Sequence, residues 1–440
     1  MLKPLLFSLV LMLSTALAMG QNDDFNTERL PIGNSRTKYD FCAVKLNSVF
    51  DSEAGQSISV AELIQKLQTY RIVMLGETHT NEQHHGMQLK VIRGLVEAGV
   101  SVRLALEMFT PAQNAALERY RLGQISEQEF LEQSDYFNTW GHNYRYYKPI
   151  FDYAREKQIP MYGVNIEQSL VSKIGRSGIE SLAPAERGRV PEIDTTDVEH
   201  QFYFKVAMEG MDAFAPSQFR KLYISQCLWD AAMGTGAIEI AQQHPESIVL
   251  ILVGSGHVAY NLGIGKIIQK RSELPFCSVI GVDVPDTVKQ SVMMQVKKSI
   301  KLNEKTVQRD TAKTKTPTIT AMAMMHGVSA DETPYRIVIR SLADFLWGLP
   351  QEKQEKYPYF GFSVDEKANG GFRVRRVLPE TLAQRHGFQI GDMILGIDGQ
   401  SFENMAQMKQ YLSFKNWGDK VAFKIMREGK LHSIKFKIRP

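Results

Sequence analysis

An α/β fold, with a mostly parallel sheet and helices on both faces plus a small β-rich unit at the C-terminal end, is what this sequence predicts. Three observations predict it. Two short apolar runs, Ile72-Val73-Met74-Leu75 and Ile248-Val249-Leu250-Ile251-Leu252-Val253, are β-branched and free of charge, the pattern of strands buried on both faces. Segments of helical period alternate with such runs. Near the C-terminus, Val421 to Met426 and Leu431 to Ile438 flank Glu428-Gly429 as the arms of a hairpin.

Size and composition agree. A chain of 440 residues is too long for one ordinary core, so two domains are expected. Hydrophobic content of 43% and charged content of 23% describe a globular protein. The net charge of +4 suits an anionic ligand, but no concentrated basic face is written here, so nucleic acid is not an expected partner.

Residues 1–20 read as a signal peptide: Lys3 supplies the charge, Leu5 to Leu13 the apolar stretch, and Ala16-Leu17-Ala18 the cleavage site. The stretch is too short for a membrane anchor. No Cys stands beside the site, so there is no lipobox, and a periplasmic or secreted location is expected. Cys42, Cys227 and Cys277 share no CxxC spacing, which excludes a zinc ribbon or redox motif and leaves one disulfide or free thiols open.

Residues 40–350 form the expected α/β domain. Ser59-x-x-Glu62 is a capping box opening a helix that ends near Tyr70. The first strand, a turn at Gly76-Glu77-Thr78-His79, and a helix from about His84 to Ala98 follow. Val102 to Leu106 is the second strand, ending in Glu107. Thr110-Pro111 and the capping box Ser126-x-x-Glu129 open further helices. An aromatic stretch runs from Tyr136 to Tyr153. Met161 to Val164 is a third strand with Asn165 at its end. A long helix from about Ser217 to Gln243 feeds the run that ends in Gly254-Ser255-Gly256-His257, and Ser278 to Val282 is one more strand. Residues 297–320, rich in Lys and Thr, read as a loop insertion. Order resumes at Tyr335 to Ile339, Ala343 to Trp347 closes the domain, and residues 351–356 are a polar linker to a second domain at 357–440.

Ligands of open α/β sheets bind beyond the carboxyl ends of the strands. Glu77, His79, Glu107, Asn165 and His257 all fall there. Two imidazoles and two carboxylates in one crevice suit three tasks: ligating a divalent metal through His79, His257, Glu77 and Glu107, acid–base catalysis by the same four, or lining a ligand pocket. The glycines are expected to supply positive φ, and Gly254 and Gly256 an anion nest. Gln226, Trp229, Asp230 and Met233 share one helix face, where Asp230 either orients a histidine or forms a structural ion pair. No HExxH, GxSxG or P-loop motif is present.

These residues carry a resemblance. The first tetrad with His84-His85-Gly86-Met87-Gln88, then Leu106-Glu107-Met108, Trp140 and Tyr144, Val164-Asn165, Gln226 to Asp230 and the second tetrad, in that order over roughly residues 45 to 350, resemble the ChaN-like family. The resemblance implies a haem-binding, iron-regulated envelope protein. That family is similar to the erythromycin-esterase and TraB/TIKI proteins, which implies a hydrolytic or metal-dependent role for Glu77, His79, Glu107 and His257. The missing lipobox and the Lys/Thr-rich insertion depart from the pattern. As haem contacts the sequence offers His79, His257, His142, Tyr144, Asn165, Trp229 and Asp230, with Tyr146, Tyr147 and a Met322, Met324, Met325, His326 cluster as further ligands and Arg145 and Lys148 for propionates. A homodimer around haem is one arrangement this allows.

From Tyr357 onward the chain resembles a PDZ domain. Phe360-Gly361-Phe362 is similar to the carboxylate-binding loop, and Gly387 to Ile394 with Ile397-Asp398-Gly399 completes the pattern. The resemblance implies that a peptide C-terminus adds to a strand edge. The expectation is a haem- or iron-ligand-binding protein with a peptide-binding module. The alternatives are a metal-dependent hydrolase and a PDZ scaffold whose first domain is inert.

Overall fold

The computed structural model describes residues 26–287, 333–367 and 371–440. The expected signal peptide, the 297–320 insertion and the Met322–His326 cluster lie outside the described residues. No helix among the described residues is long and apolar enough to cross a membrane.

Strands run in chain order as β1 (Phe41–Lys45), β2 (Val49–Asp51), β3 (Gln56–Ile58), β4 (Ile72–Glu77), β5 (Val102–Leu106), β6 (Met161–Gly163), β7 (Ile248–Gly254), β8 (Phe276–Val284), β9 (Tyr335–Ile339) and β10 (Phe345–Pro350). The main sheet has eight strands in the order β3-β2-β10-β8-β4-β7-β5-β6. From β10 to β6 every pairing is parallel, and the β10–β2 and β2–β3 pairings at one edge are antiparallel. The chain steps from β4 outward to β5 and β6, returns to insert β7 beside β4, then crosses to β8 on the other side. Such a reversal opens a crevice at the carboxyl ends of the central strands.

Alternation along each strand sorts side chains to two cores. Val73 and Leu75 of β4, with Leu250 and Leu252 of β7, join the core beneath helices α1 (Val60–Leu67), α2 (Glu82–Glu97), α3 (Asn114–Arg121), α4 (Glu127–Gln133), α5 (Tyr136–Thr139) and α6 (Lys148–Glu156). Ile72, Met74, Val249, Ile251 and Val253 face the opposite core. There α7 (Gln168–Ser177), α8 (Val198–Ala207), α9 (Pro216–Gln243) and α10 (Ile264–Arg271) cover the sheet. The capping boxes at Ser59 and Ser126 form as expected. Thr110 caps a 3-10 turn, Pro111–Gln113, that leads into α3.

Two elements depart from the sequence reading. Glu77 belongs to β4 rather than to a turn, because its pairing with Gly254 of β7 carries the strand two residues further. Strands β9 and β1, the latter not expected from the sequence, form a separate two-stranded antiparallel sheet. The three cysteines are buried free thiols, so no disulfide links them.

The C-terminal unit is an antiparallel sheet of β11 (Phe362–Glu366), β12 (Phe372–Val377), β13 (Met393–Ile397), β14 (Lys420–Arg427) and β15 (Lys430–Lys437), in that spatial order. Helix α11 (Met405–Ser413), capped by the Asn404 side chain, packs Met408 and Leu412 into the core around Phe423. Strand β11 is an edge strand, and its Glu366 carboxylate accepts from the Met405 N–H, 3.1 Å, so α11 begins beside its free side.

Candidate functional site

A cavity of about 370 Å³ opens at the carboxyl ends of β4, β5, β6 and β7. Its size falls in the roughly 300–1,000 Å³ range of small-molecule sites. Glu77, His79, Glu107, Asn165 and His257 all line it, together with Trp140, His142 and Trp229.

The polar groups form two arrays. In the first, the Glu77 carboxylate lies 2.9 Å from His79 Nδ1 and 3.0 Å from His85 Nδ1, and Tyr147 donates its hydroxyl at 2.8 Å. Burial opposes ionisation of Glu77, but the His85 and His79 rings overcome it and hold the carboxyl well below its usual range. Burial likewise opposes charge on His85, and Glu77 outweighs it and raises the ring. The other nitrogen of His85 donates to the His79 carbonyl, 3.1 Å, which fixes the loop that carries His79. The Glu77 bond leaves His79 Nε2 on the cavity side, without a hydrogen-bond partner among the described residues.

In the second array, His257 places Nδ1 2.6 Å from Asp230 and Nε2 3.3 Å from Glu107. Burial disfavours its charged form, yet Glu107 and Asp230 prevail and lift it to about 10. The Gln226 amide sits 2.9 Å from the same Nδ1. The Asp230 contact to His257 is at once a hydrogen bond and an ion pair. His200 lies 3.4 Å from the second oxygen of Asp230.

Glycine has a different task from the one expected. Neither Gly76, Gly254 nor Gly256 has positive φ. The use of two of them is close approach: a Cβ on Gly254 would stand 2.9 Å from His79 Cε1, and one on Gly76 2.8 Å from Val258, whereas one on Gly256 meets nothing nearer than 3.9 Å. The Gly254 N–H donates to Glu107 at 2.7 Å, so the anion it meets is the chain's own carboxylate. Gly254 therefore draws the two arrays together.

Aromatic rings complete the wall. His142 lies 4.5 Å and Trp140 5.0 Å from the His79 ring, centroid to centroid. Burial, with the His79 charge second, holds His142 well below the usual histidine range, so it is a neutral ring. Asn165 donates to the Glu107 carbonyl at 2.9 Å.

Other expectations do not meet at this cavity. Tyr144 is buried between Phe130, Tyr136 and Phe151 and lines no part of it. Lys148 pairs with Glu127 and Asp152, and Arg145 turns to the C-terminal unit. Among the described residues no Lys or Arg lines the cavity. Among the described residues no three His, Cys, Asp or Glu are arranged to hold a metal ion. Of the four donors expected to chelate, Glu77 contacts His79 and Glu107 contacts His257, which leaves His79 Nε2 toward the cavity.

His85 was not expected at the site, and Tyr147 was expected as a haem ligand, whereas its hydroxyl is committed to Glu77. The available signal was their chemistry: a buried phenol and a buried histidine each need a polar partner, and Glu77 is the near one. In the C-terminal unit, Gly361 has φ +79, Phe360 is buried, and Phe362 stacks on Phe388 at 5.4 Å, inside its core.

Comparison with known proteins follows the same division. Residues 63–268 match the family described as haem-binding uptake, Tiki superfamily, ChaN, and residues 350–426 match the PDZ domain. Among solved structures, ChaN of Campylobacter jejuni with cofacially bound heme is 19% identical, with 53% of this chain and 90% of that one covered and a TM-score of 0.45. An erythromycin esterase mutant in its open conformation is 14% identical over 56% of this chain and 78% of its own, with a TM-score of 0.34. A probable periplasmic serine protease, do/HhoA-like, of Haemophilus influenzae is 29% identical over 72 residues. That alignment spans only 16% of each protein. The chain joins a ChaN-like domain of the Tiki superfamily, residues 63–268, to a PDZ domain, residues 350–426.

Proposed function

We propose that this is an extracytoplasmic haem-binding protein whose PDZ domain recruits a partner through a peptide C-terminus. One observation carries the haem reading. His79 has Nδ1 on a buried carboxylate and Nε2 toward a cavity walled by Met108, Phe109, Trp140 and Trp229. A carboxylate behind an imidazole fixes its tautomer and strengthens the opposite nitrogen as a ligand. Apolar and aromatic walls suit a macrocycle, and His79 would be the residue that holds its iron. The do/HhoA-like relative is named as periplasmic, in keeping with the expected signal peptide.

Titration of the purified protein with haemin tests this. A saturable Soret shift is expected, and Glu77→Gln, which keeps the shape but not the charge behind the ring, should weaken binding roughly 10- to 100-fold. His79→Ala, which removes the ligand itself, should weaken it further. No saturable shift in the wild type would overturn the reading.

The Asp230–His257–Glu107 array favours a second reading, hydrolysis. A histidine held charged to about 10 can donate to a developing oxyanion but cannot act as base near neutrality. His79 would have to take the proton. Ester turnover abolished by His79→Ala, with haemin binding absent, would select this reading.

A further inference from the structure

Helix α11 of the PDZ domain borders the free side of β11, where a peptide strand is received, and it also packs on α5 of the first domain. The segment it packs on is part of the cavity. Asn138, Thr139, Trp140, Gly141 and His142 line the cavity. The docking bonds fall at both ends of these five residues. On one side the Phe137 carbonyl accepts from Lys409 at 2.9 Å. On the other, Asn143 donates to the Ser413 carbonyl at 2.8 Å, and Arg145 donates to the same carbonyl at 3.3 Å and to Asn416 at 2.7 Å.

Ser413 is the last residue of α11, so its carbonyl is one of the acceptors that a helix end leaves without an internal partner. The first domain supplies those donors, and the Arg145 charge also suits the negative end of the helix dipole. The Arg145 guanidinium further lies 3.9 Å over the Tyr357 ring, at the entry to the PDZ domain. Displacing α11 therefore breaks bonds at both ends of the segment that carries Trp140 and His142.

From this geometry we infer that a C-terminal peptide docking between β11 and α11 alters the 138–142 wall of the histidine cavity, so that partner binding and ligand binding are energetically coupled. The coupling works in both directions, since an effector that shifts one affinity must itself be shifted by the same factor. Its effect on haem affinity rests on the haem-binding reading above. The coupling of groove to wall does not.

The test uses the full chain and decapeptides ending in Val, Leu, Phe or Ala, each with a free carboxyl and an amidated counterpart. Hydrogen exchange of residues 135–146 is followed with and without peptide, and haemin affinity is measured in parallel. A bound free-acid peptide is expected to change exchange in that segment and to shift haemin affinity about fivefold or more, while its amide does neither. A double variant, Asn143→Ala with Arg145→Ala, should still bind peptide but lose both responses. A peptide that binds yet leaves exchange and affinity unchanged overturns the inference. Should none of the peptides bind, or should the double variant fold with 135–146 exchange equal to wild type, the inference fails. A wild type that binds no haemin removes the haem reading, and the exchange data still judge the coupling.

Discussion

At the residue scale, the site is a problem in holding charge without water, and its pH response follows. His257 titrates near 6.5 in an unfolded chain and at about 10 in the fold, because Glu107 and Asp230 outweigh its burial. A group raised on folding stabilises in full below its unfolded value, and that stability drains away as pH climbs through the folded value. Urea midpoints should therefore fall between pH 6.5 and 10, and His257→Gln should flatten that part of the profile. A second expectation concerns Gly254. In Gly254→Ala the new Cβ meets the His79 ring at 2.9 Å, and the side chain, being the movable party, must turn away from the cavity. The variant should fold, with its urea midpoint near wild type, yet bind haemin about tenfold more weakly, as when the support behind a ligand is disturbed. Glu77, His79, Glu107 and His257 were legible because each ends a run that can only be a strand. His85 was not, because on helix α2 nothing in the spacing separates a histidine turned toward Glu77 from one buried for packing.

At the element scale, the sequence revealed strands better than their partners. Runs such as Ile248 to Val253 declare themselves by being apolar on both faces. Strand β9, interrupted by Arg336, gives a weaker signal, and its pairing depends on which edge the returning chain reaches. The aromatic stretch also hid its structure: Asp135, in left-handed conformation, starts the four-residue helix α5, and Asn143 opens a separate 3-10 turn. Gly348 shows how tightly the elements meet. A Cβ there would lie 2.0 Å from the Lys45 carbonyl oxygen, where the turn after β1 crosses β10. Both parties are backbone, so neither can rotate away. Gly348→Ala should cost about 3 kcal/mol, the upper end for overpacking. Gly188→Ala, whose nearest neighbour is 3.9 Å away, should stay within about 0.5 kcal/mol. Urea titrations of both variants measure the contrast.

At the scale of the whole molecule, two domains recognisable in sequence meet through contacts that sequence does not announce. The interface is polar: Lys409, Asn143 and Arg145 give their hydrogens to backbone carbonyls, and Trp417 donates to the Glu355 carbonyl at 2.8 Å. Lys409 makes the docking sensitive to pH. Burial between α11 and α5 lowers its ammonium from 10.5 to about 8, against the opposing pull of Asp135. A lysine lowered on docking binds fewer protons in the docked state, so docking strengthens as pH rises from 8 towards 10.5 and is weakest below 8. This is opposite in sign to the His257 effect, and the two separate by location. Hydrogen exchange in 405–413 should slow between pH 8 and 10, after correction for the intrinsic rate, while the His257 array loosens over the same span. Lys409→Met keeps the length of the stem and removes the titration, so its docking should be flat with pH. If exchange in α11 of the wild type were equally flat, the interface would be held by Asn143 and Arg145 alone. Lys409 would then be a solvated neighbour of the Phe137 carbonyl instead of a buried part of the joint.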